Sequence, residues 1–483
     1  MSGIAVNIRL ASAPLRKKAT RIVFEFASSA NIAGRPVGDL RFIERIATSK
    51  AHSEAILNVS LGKKSKRTSE TLRRACGAVA RFLVANHVTQ AEIDLSSVPG
   101  FAPTETVSAV CEGLLLGAFQ FRRHKSSRKA SPTSKIHLLV ERRTRNLTAA
   151  LKRALLTAEA TNLARAWSHE PPNILNPVTL AQRTRRLARD AGLKCTVYDE
   201  KRLAQMKAGA LLAVGMASKT PPRLLVLEYS PRKNRGGKAK PVILVGKAVT
   251  FDTGGYSLKD KTGIVGMKFD KCGGMAVLGV MQAVAKLEPP TPVIGIVPAA
   301  ENMIAGNAYR PNDIVTTMSG KTVEIISTDA EGRMILADAL TFALQNYKPR
   351  AVIDVATLTG GVVVALGAVR AGLFSNHDGL AKALIASGEN VHEKLWRLPL
   401  DEEYLDLIKG DDSDLKNSGG RHAHPIIGAI FLKQFVRDDV PWAHLDIAGT
   451  ATTEKNRSYR AKGATGFGVR LLIDFIMNLK GSR

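Results

Sequence analysis

Two stretches of this chain set ionisable side chains directly into apolar sequence, and any fold it adopts must accommodate them. Residues 242–274 read VILVGKAVTFDTGGYSLKDKTGIVGMKFDKCGG, and residues 327–340 read STDAEGRMILADAL. Together they carry Lys247, Asp252, Lys259, Asp270, Asp329, Glu331 and Arg333, mostly beside glycines or at the ends of apolar runs. Burying an unpaired charge is costly. Groups this dense must neutralise one another, and a shared metal is the most general way to do it.

Asp252 follows the run VILVGKAVTF and precedes Gly254 and Gly255. That places it at the exit of a buried strand, where α/β sheets present ligands. Asp270 has a similar setting, after MKF and before Gly273 and Gly274. Asp329, Glu331 and Arg333 alternate, so an extended chain would point all three to one side, with a helix starting at Met334. Taken alone, that second stretch also reads as a salt-bridged strand end. The two stretches together supply four carboxylates, Asp252, Asp270, Asp329 and Glu331, which suit a two-metal site with bridging ligands. No His or Cys ligand pattern lies nearby, which favours Mn²⁺ or Mg²⁺, while Zn²⁺ also tolerates carboxylates. A lysine can join such a set only as a neutral amine. HExxH, GxSxG and Walker A patterns are all absent from the sequence.

A chain of 483 residues with 45% hydrophobic content is expected to form two globular domains. We place a small α/β domain at 1–150 and a larger catalytic α/β domain, with a mixed central sheet covered by helices, at 151–483. VNIRL and RIVFEF read as the first two strands; the Arg-rich, acid-free composition before Glu25 also fits a mitochondrial transit peptide. Residues 63–87 and 107–121 read as helices, and a further helix runs from 146 to 167 up to the breaker HEPPNILNP. Beyond it strands and helices alternate to the C-terminus. No apolar run reaches the length of a membrane span. Cys76, Cys111, Cys195 and Cys272 are scattered, as reduced thiols would be. The net charge is +28, and residues 1–150 contribute +15 of it from 25 Lys/Arg against 10 Asp/Glu. That excess, with the basic loop at 122–129, supports an alternative reading as a nucleic-acid-binding protein.

VGKAVTFDTGGYSLK, MKFD and STDAEGR resemble the signatures of the leucyl (cytosol) aminopeptidases. EPPNILNP, ENMIAGNAYRPNDIVTTMSGKTVEI, DVATLTGG, WRLPLDEEYLDLIKGDDSDLKN and HLDIAGTA extend the resemblance from about residue 148 to the C-terminus. It implies a two-metal exopeptidase that removes leucine-like N-terminal residues from peptides through a metal-bridging water. Asp252, Asp329 and Glu331 would hold the more exchangeable ion, and Lys247, Asp252, Asp270 and Glu331 the tighter one. Lys259 would stabilise the oxyanion, and Arg333 would anchor a bicarbonate acting as general base. Met267, Thr357, Gly360 and Ala448 would line the pocket for the first side chain. The resemblance also implies a homohexamer. A cytoplasmic protein is expected, with the mitochondrial matrix as the alternative that the N-terminal composition leaves open. Three positions depart from the family pattern: Ser327 in place of Asn, GIVGMK in place of an acidic run, and Lys271 in place of Met. A lysine beside Asp270 is expected to weaken binding of a dication. A catalytically silent subunit that keeps the fold is a third reading, opposed by the intact ligand set.

Overall fold

The computed structural model describes residues 6–13, 19–26, 28, 34–46, 53–126, 133–231 and 239–479. The chain divides into two compact units, Met1–Asn162 with Thr453–Gly463, and Leu163–Thr452 with Ala464–Arg483. Both are mixed α/β.

The first unit contains β1 (Val6–Ala11), β2 (Thr20–Glu25), β3 (Leu40–Ile46), β4 (Ser53–Ser60), α1 (Ser69–Ala85), β5 (Gln90–Asp94), α2 (Pro103–Gly117) and β6 (Ser134–Leu139). The strands form one sheet in the order β1-β6-β5-β2-β4-β3. All neighbours are parallel except β3 and β4. Alternation along β1 and β2 puts Ile8, Leu10, Ile22 and Phe24 into the core with Leu72 and Val79 of α1 and Val110 and Leu114 of α2. At the start of α1, Thr68 and Thr71 cap each other reciprocally. β1 and β2 are the two strands expected from VNIRL and RIVFEF. β3 and β4 have no counterpart among the strands expected from the sequence; in β3, Arg41, Glu44 and Arg45 interrupt the apolar pattern. The expected turn at 13–20 and the basic loop at 122–129 lie partly outside the described residues.

Helix α3 (Arg145–His169) ends at the Pro171–Pro172 break. After it come α4 (Pro177–Ala191), β7 (Lys194–Tyr198), α5 (Glu200–Gln205), α6 (Gly209–Gly215), β8 (Arg223–Tyr229), β9 (Val242–Gly246), β10 (Ala248–Asp252), α7 (Cys272–Leu287) and β11 (Val293–Asn302). Then follow β12 (Ile314–Thr316), β13 (Thr322–Glu324), α8 (Glu331–Asn346), β14 (Ala351–Ala356), α9 (Gly360–Leu366), β15 (Ala371–Ser375), α10 (Asp378–Val391) and β16 (Leu395–Arg397). Toward the C-terminus lie β17 (Leu415–Lys416), α11 (His424–Lys433), β18 (Trp442–Asp446) and α12 (Val469–Asn478). The large sheet runs β16-β15-β18-β14-β9-β11-β8-β7, with β10 also on β11, while β12, β13 and β17 form a small separate sheet. β9, β10, β11, β14 and β18 are mutually parallel; β7 against β8, β8 against β11 and β15 against β18 are antiparallel. Ile243, Val245, Ile294 and Ile296 bury against Met334, Ile335 and Leu336 of α8. α7 also packs on β9, β11 and β14. Among the described residues no helix is long and apolar enough to cross a membrane.

Two local expectations are corrected. The run 242–252 is two strands, because the chain breaks at Lys247. There the backbone N–H turns to Val355 O, and the carbonyl accepts from Gly274 N. The stretch 327–333 is not extended either. Asp329 lies in a turn and α8 begins at Glu331, three residues before Met334.

Candidate metal centre

Five parallel strands deliver the site at their C-terminal ends, where α/β sheets collect ligands. Lys247 directly follows β9, Asp252 ends β10, Asn302 ends β11, Thr357 directly follows β14 and Asp446 ends β18. Gly254 and Gly255 then reverse the chain with φ of +85° and +62°, a conformation that costs a side-chain-bearing residue. The reversal lets the Gly254 N–H donate to Asp252 Oδ1 at 2.9 Å. Gly332 serves by close approach: a Cβ there would lie 2.6 Å from Lys247 Cε. Asp270 follows the 3-10 turn Met267–Phe269 and precedes α7, so it leaves a turn and not, as expected, a strand.

Lys247 Nζ lies 2.8 Å from Asp270 Oδ1 and 2.8 Å from Glu331 Oε1, and donates to Thr357 O at 2.9 Å. The Thr357 hydroxyl donates to Asp270 Oδ1 at 2.7 Å. Lys259 Nζ pairs with Asp252 Oδ2 at 2.8 Å and with Asp329 Oδ1. Lys247, Asp252, Asp270, Glu331 and Arg333 are buried; the Asp329 side chain is 39% exposed.

Burial pushes the Asp270, Asp329 and Glu331 carboxyls above their usual range, and the carboxylates crowding one another push further. Burial by itself would lower both lysines. For Lys247, the carboxylates of Asp270, Glu331 and Asp252 outweigh it and raise the pKa. For Lys259, those of Asp252, Glu331 and Asp329 do the same. The side chains thus carry more negative charge than they can neutralise. The set fits divalent ions on two further counts. One oxygen each from Asp252, Asp329 and Glu331 lies within 4.8 Å of the others. Asp270 Oδ2 is buried and has no hydrogen-bond partner.

Arg333, on the first turn of α8, donates from Nη1 to Asn417 O at 2.8 Å, while its buried Nε has no partner. Burial lowers its pKa to about 10, against the pull of Glu331 and Asp446. Asp446 gathers the expected pocket residues. Its Oδ1 accepts from Leu358 N at 3.1 Å and from Ala448 N at 3.2 Å, and its Oδ2 from the Thr359 hydroxyl at 2.7 Å. Thr357, Gly360 and Ala448 therefore sit on two turns tied by one carboxylate. Met267 is half-buried, three residues before Asp270.

The departing residues have local roles. Ser327 Oγ accepts from Asp329 N at 3.2 Å. The Asn417 side chain bonds the Ser327 backbone on both sides, accepting from its N–H at 3.1 Å and donating to its carbonyl at 2.7 Å. Lys271 is fully buried, and its ammonium is directed to the carbonyls of Glu170, at 3.0 Å, and Lys268. Burial lowers its pKa to about 7. Asn302, Asn417 and Asp446 hold the site together, and none of them stands out in the sequence as a candidate site residue.

The sequence matches the cytosol aminopeptidase family in two parts, its catalytic domain over residues 162–473 and its N-terminal domain over 37–128. A probable cytosol aminopeptidase of Syntrophotalea carbinolica is 44% identical over 429 residues, 87% of this chain and 85% of the relative. One of Solibacter usitatus is 43% identical, covering 88% and 87%. Among solved structures, the bottromycin maturation enzyme BotP in complex with Mn superposes with a TM-score of 0.86 at 34% identity, covering 95% of this chain and 99% of that one. These matches lend nothing to the nucleic-acid alternative. Both of the family's domains are matched, and the catalytic one carries the carboxylate cluster just described: this chain belongs to the cytosol aminopeptidase family.

Proposed function

We propose that this chain removes N-terminal residues from peptides, leucine-like apolar ones by preference, with two divalent ions held by its carboxylates. The observation that carries the proposal is the buried cluster of Lys247, Asp252, Asp270 and Glu331, joined by Asp329 and Lys259 at its rim. Lys247, Asp252, Asp270 and Glu331 would hold one ion, and Asp252, Asp329 and Glu331 the other, so Asp252 and Glu331 serve both. When bound, the ions would polarise the scissile carbonyl and lower the pKa of a water, and a bicarbonate would supply a proton acceptor. Mn²⁺ is favoured by the carboxylate-rich donor set and by the Mn named with BotP; Zn²⁺ and Mg²⁺ are the other candidates.

The chain's own residues would divide the remaining work. Once Asp252 and Asp329 are committed to a cation, the Lys259 ammonium is free to donate to the oxyanion of the tetrahedral intermediate. Arg333, with its unpartnered Nε, would anchor the bicarbonate. The turns at 357–360 and 446–448, with Met267, would receive the first side chain. A homohexamer is also proposed, in support of which Val364, Val369 and Trp396 stand 90%, 71% and 55% exposed; sedimentation would measure it.

The direct test is hydrolysis of leucine p-nitroanilide by metal-stripped protein, before and after adding Mn²⁺ or Zn²⁺. Restored activity that Asp329→Ala lacks is the expected result. Folded protein that stays inactive with every metal would refute the reading.

A further inference from the structure

We propose that Asn302 orients the Asp252 carboxylate and so sets the affinity of the site for its divalent ions. This rests on the two-ion reading above and assigns a positioning residue to it.

Asn302 ends β11, directly opposite Asp252 in the β10–β11 pairing, and is completely buried. Its Nδ2 donates to Asp252 Oδ1 at 2.8 Å and to Thr328 O at 3.0 Å. Its own backbone carbonyl accepts from the Thr253 N–H at 3.1 Å and the Thr253 hydroxyl at 2.9 Å. One residue thus clasps both ligand-bearing segments, the turn after Asp252 and the turn that presents Asp329 and Glu331. The Thr328 hydroxyl reinforces the clasp by donating to Gly254 O.

The amide orientation follows from its neighbours. Asp252 Oδ1 and Thr328 O are both acceptors, so only the NH₂ side can face them. The side-chain oxygen, Asn302 Oδ1, is left buried without a partner, turned toward Gly255, where a Cβ would come within 3.2 Å of it. Asp252 Oδ1 therefore receives two donors, Asn302 Nδ2 and Gly254 N. Its Oδ2 is the oxygen that faces Lys259. Groups that orient a ligating carboxylate in this way set metal affinity as well as geometry.

Removing the amide strands neither partner. Asp252 Oδ1 keeps the Gly254 N–H, and Thr328 O keeps the Tyr309 hydroxyl, which donates to it at 2.8 Å. Tyr309 thus supplies a control, since Tyr309→Phe loosens the same clasp without touching Asp252. The experiment titrates metal-stripped wild type, Asn302→Ala, Asn302→Ser and Tyr309→Phe with Mn²⁺ by calorimetry, and records the thermal transition of each stripped protein. Asn302→Ala is expected to weaken Mn²⁺ binding about 10- to 100-fold, and Tyr309→Phe to leave it unchanged even where its transition falls. Asn302→Ser, which can donate to only one of the two acceptors, is expected to fall between; it carries the test if the alanine variant does not fold. Wild-type affinity in a folded Asn302 variant would overturn the inference alone, as would equal weakening by Tyr309→Phe, which would make the effect one of packing. A wild-type protein that binds no Mn²⁺ would overturn the two-ion reading and this inference with it.

Discussion

Each unit of this chain buries a cluster of charge, and the two are balanced differently. In the first unit Arg73 lies between Glu70 and Glu112, 2.7 Å from each. Arg74 adds a second guanidinium on Glu70 at 2.9 Å, and the Tyr459 hydroxyl donates to the same carboxylate. Among these contacts two carboxylates meet two guanidiniums. In the second unit Asp252, Asp270, Asp329 and Glu331 face the amines of Lys247 and Lys259. Burial and mutual repulsion raise three of those carboxyls. In the first cluster these ion pairs balance one another. The second keeps an excess of negative charge where burial makes it most costly, as a site built to receive cations does.

Removing one member from each cluster should therefore have opposite effects. Glu331→Gln is expected to abolish peptidase activity while raising the thermal transition of the metal-stripped protein, because it relieves carboxylate repulsion. A rise of about 2–4 °C is the size expected of a 1 kcal/mol gain in a large domain. A lower transition in calorimetry would mean that this cluster, too, is balanced. Lys259→Met should lower kcat about 10²–10³-fold, the usual loss for an oxyanion donor. Steady-state kinetics that show only a higher KM would reassign it to substrate binding. Arg73→Met withdraws the guanidinium shared by Glu70 and Glu112 and should cost about 3–5 kcal/mol of stability without changing Mn²⁺ affinity. A stable variant would remove the contrast on which the comparison rests.

The smallest effect concerns a buried carboxylate that belongs to neither cluster. Asp338 lies two turns along α8 from Glu331 and accepts from Leu211 N at 2.8 Å and Met318 N at 2.7 Å. Burial raises its pKa from 3.8 to about 7, against those backbone donors. The folded state then binds the proton more tightly than the unfolded one, so its contribution to stability declines as pH rises from about 4 to 7. Asp338→Asn should flatten that part of the stability–pH curve, read by denaturant unfolding across the range. An unchanged slope would show that Asp338 is not the group responsible.

Much of the site was legible because its residues are chemically conspicuous. Lys247, Asp252, Asp270, Asp329, Glu331 and Arg333 are charges set into apolar or glycine-flanked sequence, a pattern that needs compensation wherever it is buried. Asn302 and Asp446 were not singled out, since a polar residue at a strand end usually meets solvent. Their importance appears only when β10 aligns with β11, and when the turns after β14 and β18 meet. The alternation STDAEGR was misleading for a related reason. It suggested one face of an extended segment, but α8 starts at Glu331 and shares the residues between a turn and a helix.

The sequence by itself determined the composition of the site: which side chains could carry charge, that carboxylates outnumber amines, and that glycines flank them. Those properties are covalent and local, and they survive any arrangement of the chain. Tertiary structure alone decided which atoms meet. Parallel strands far apart in sequence end at one edge of the sheet, and that edge brings Lys247 to Glu331 and Asn302 to Asp252. It also sent the Lys271 ammonium to the Glu170 and Lys268 carbonyls. The energy of a charge depends on its distance to other charges and to water, and those distances exist only once the sheet has formed.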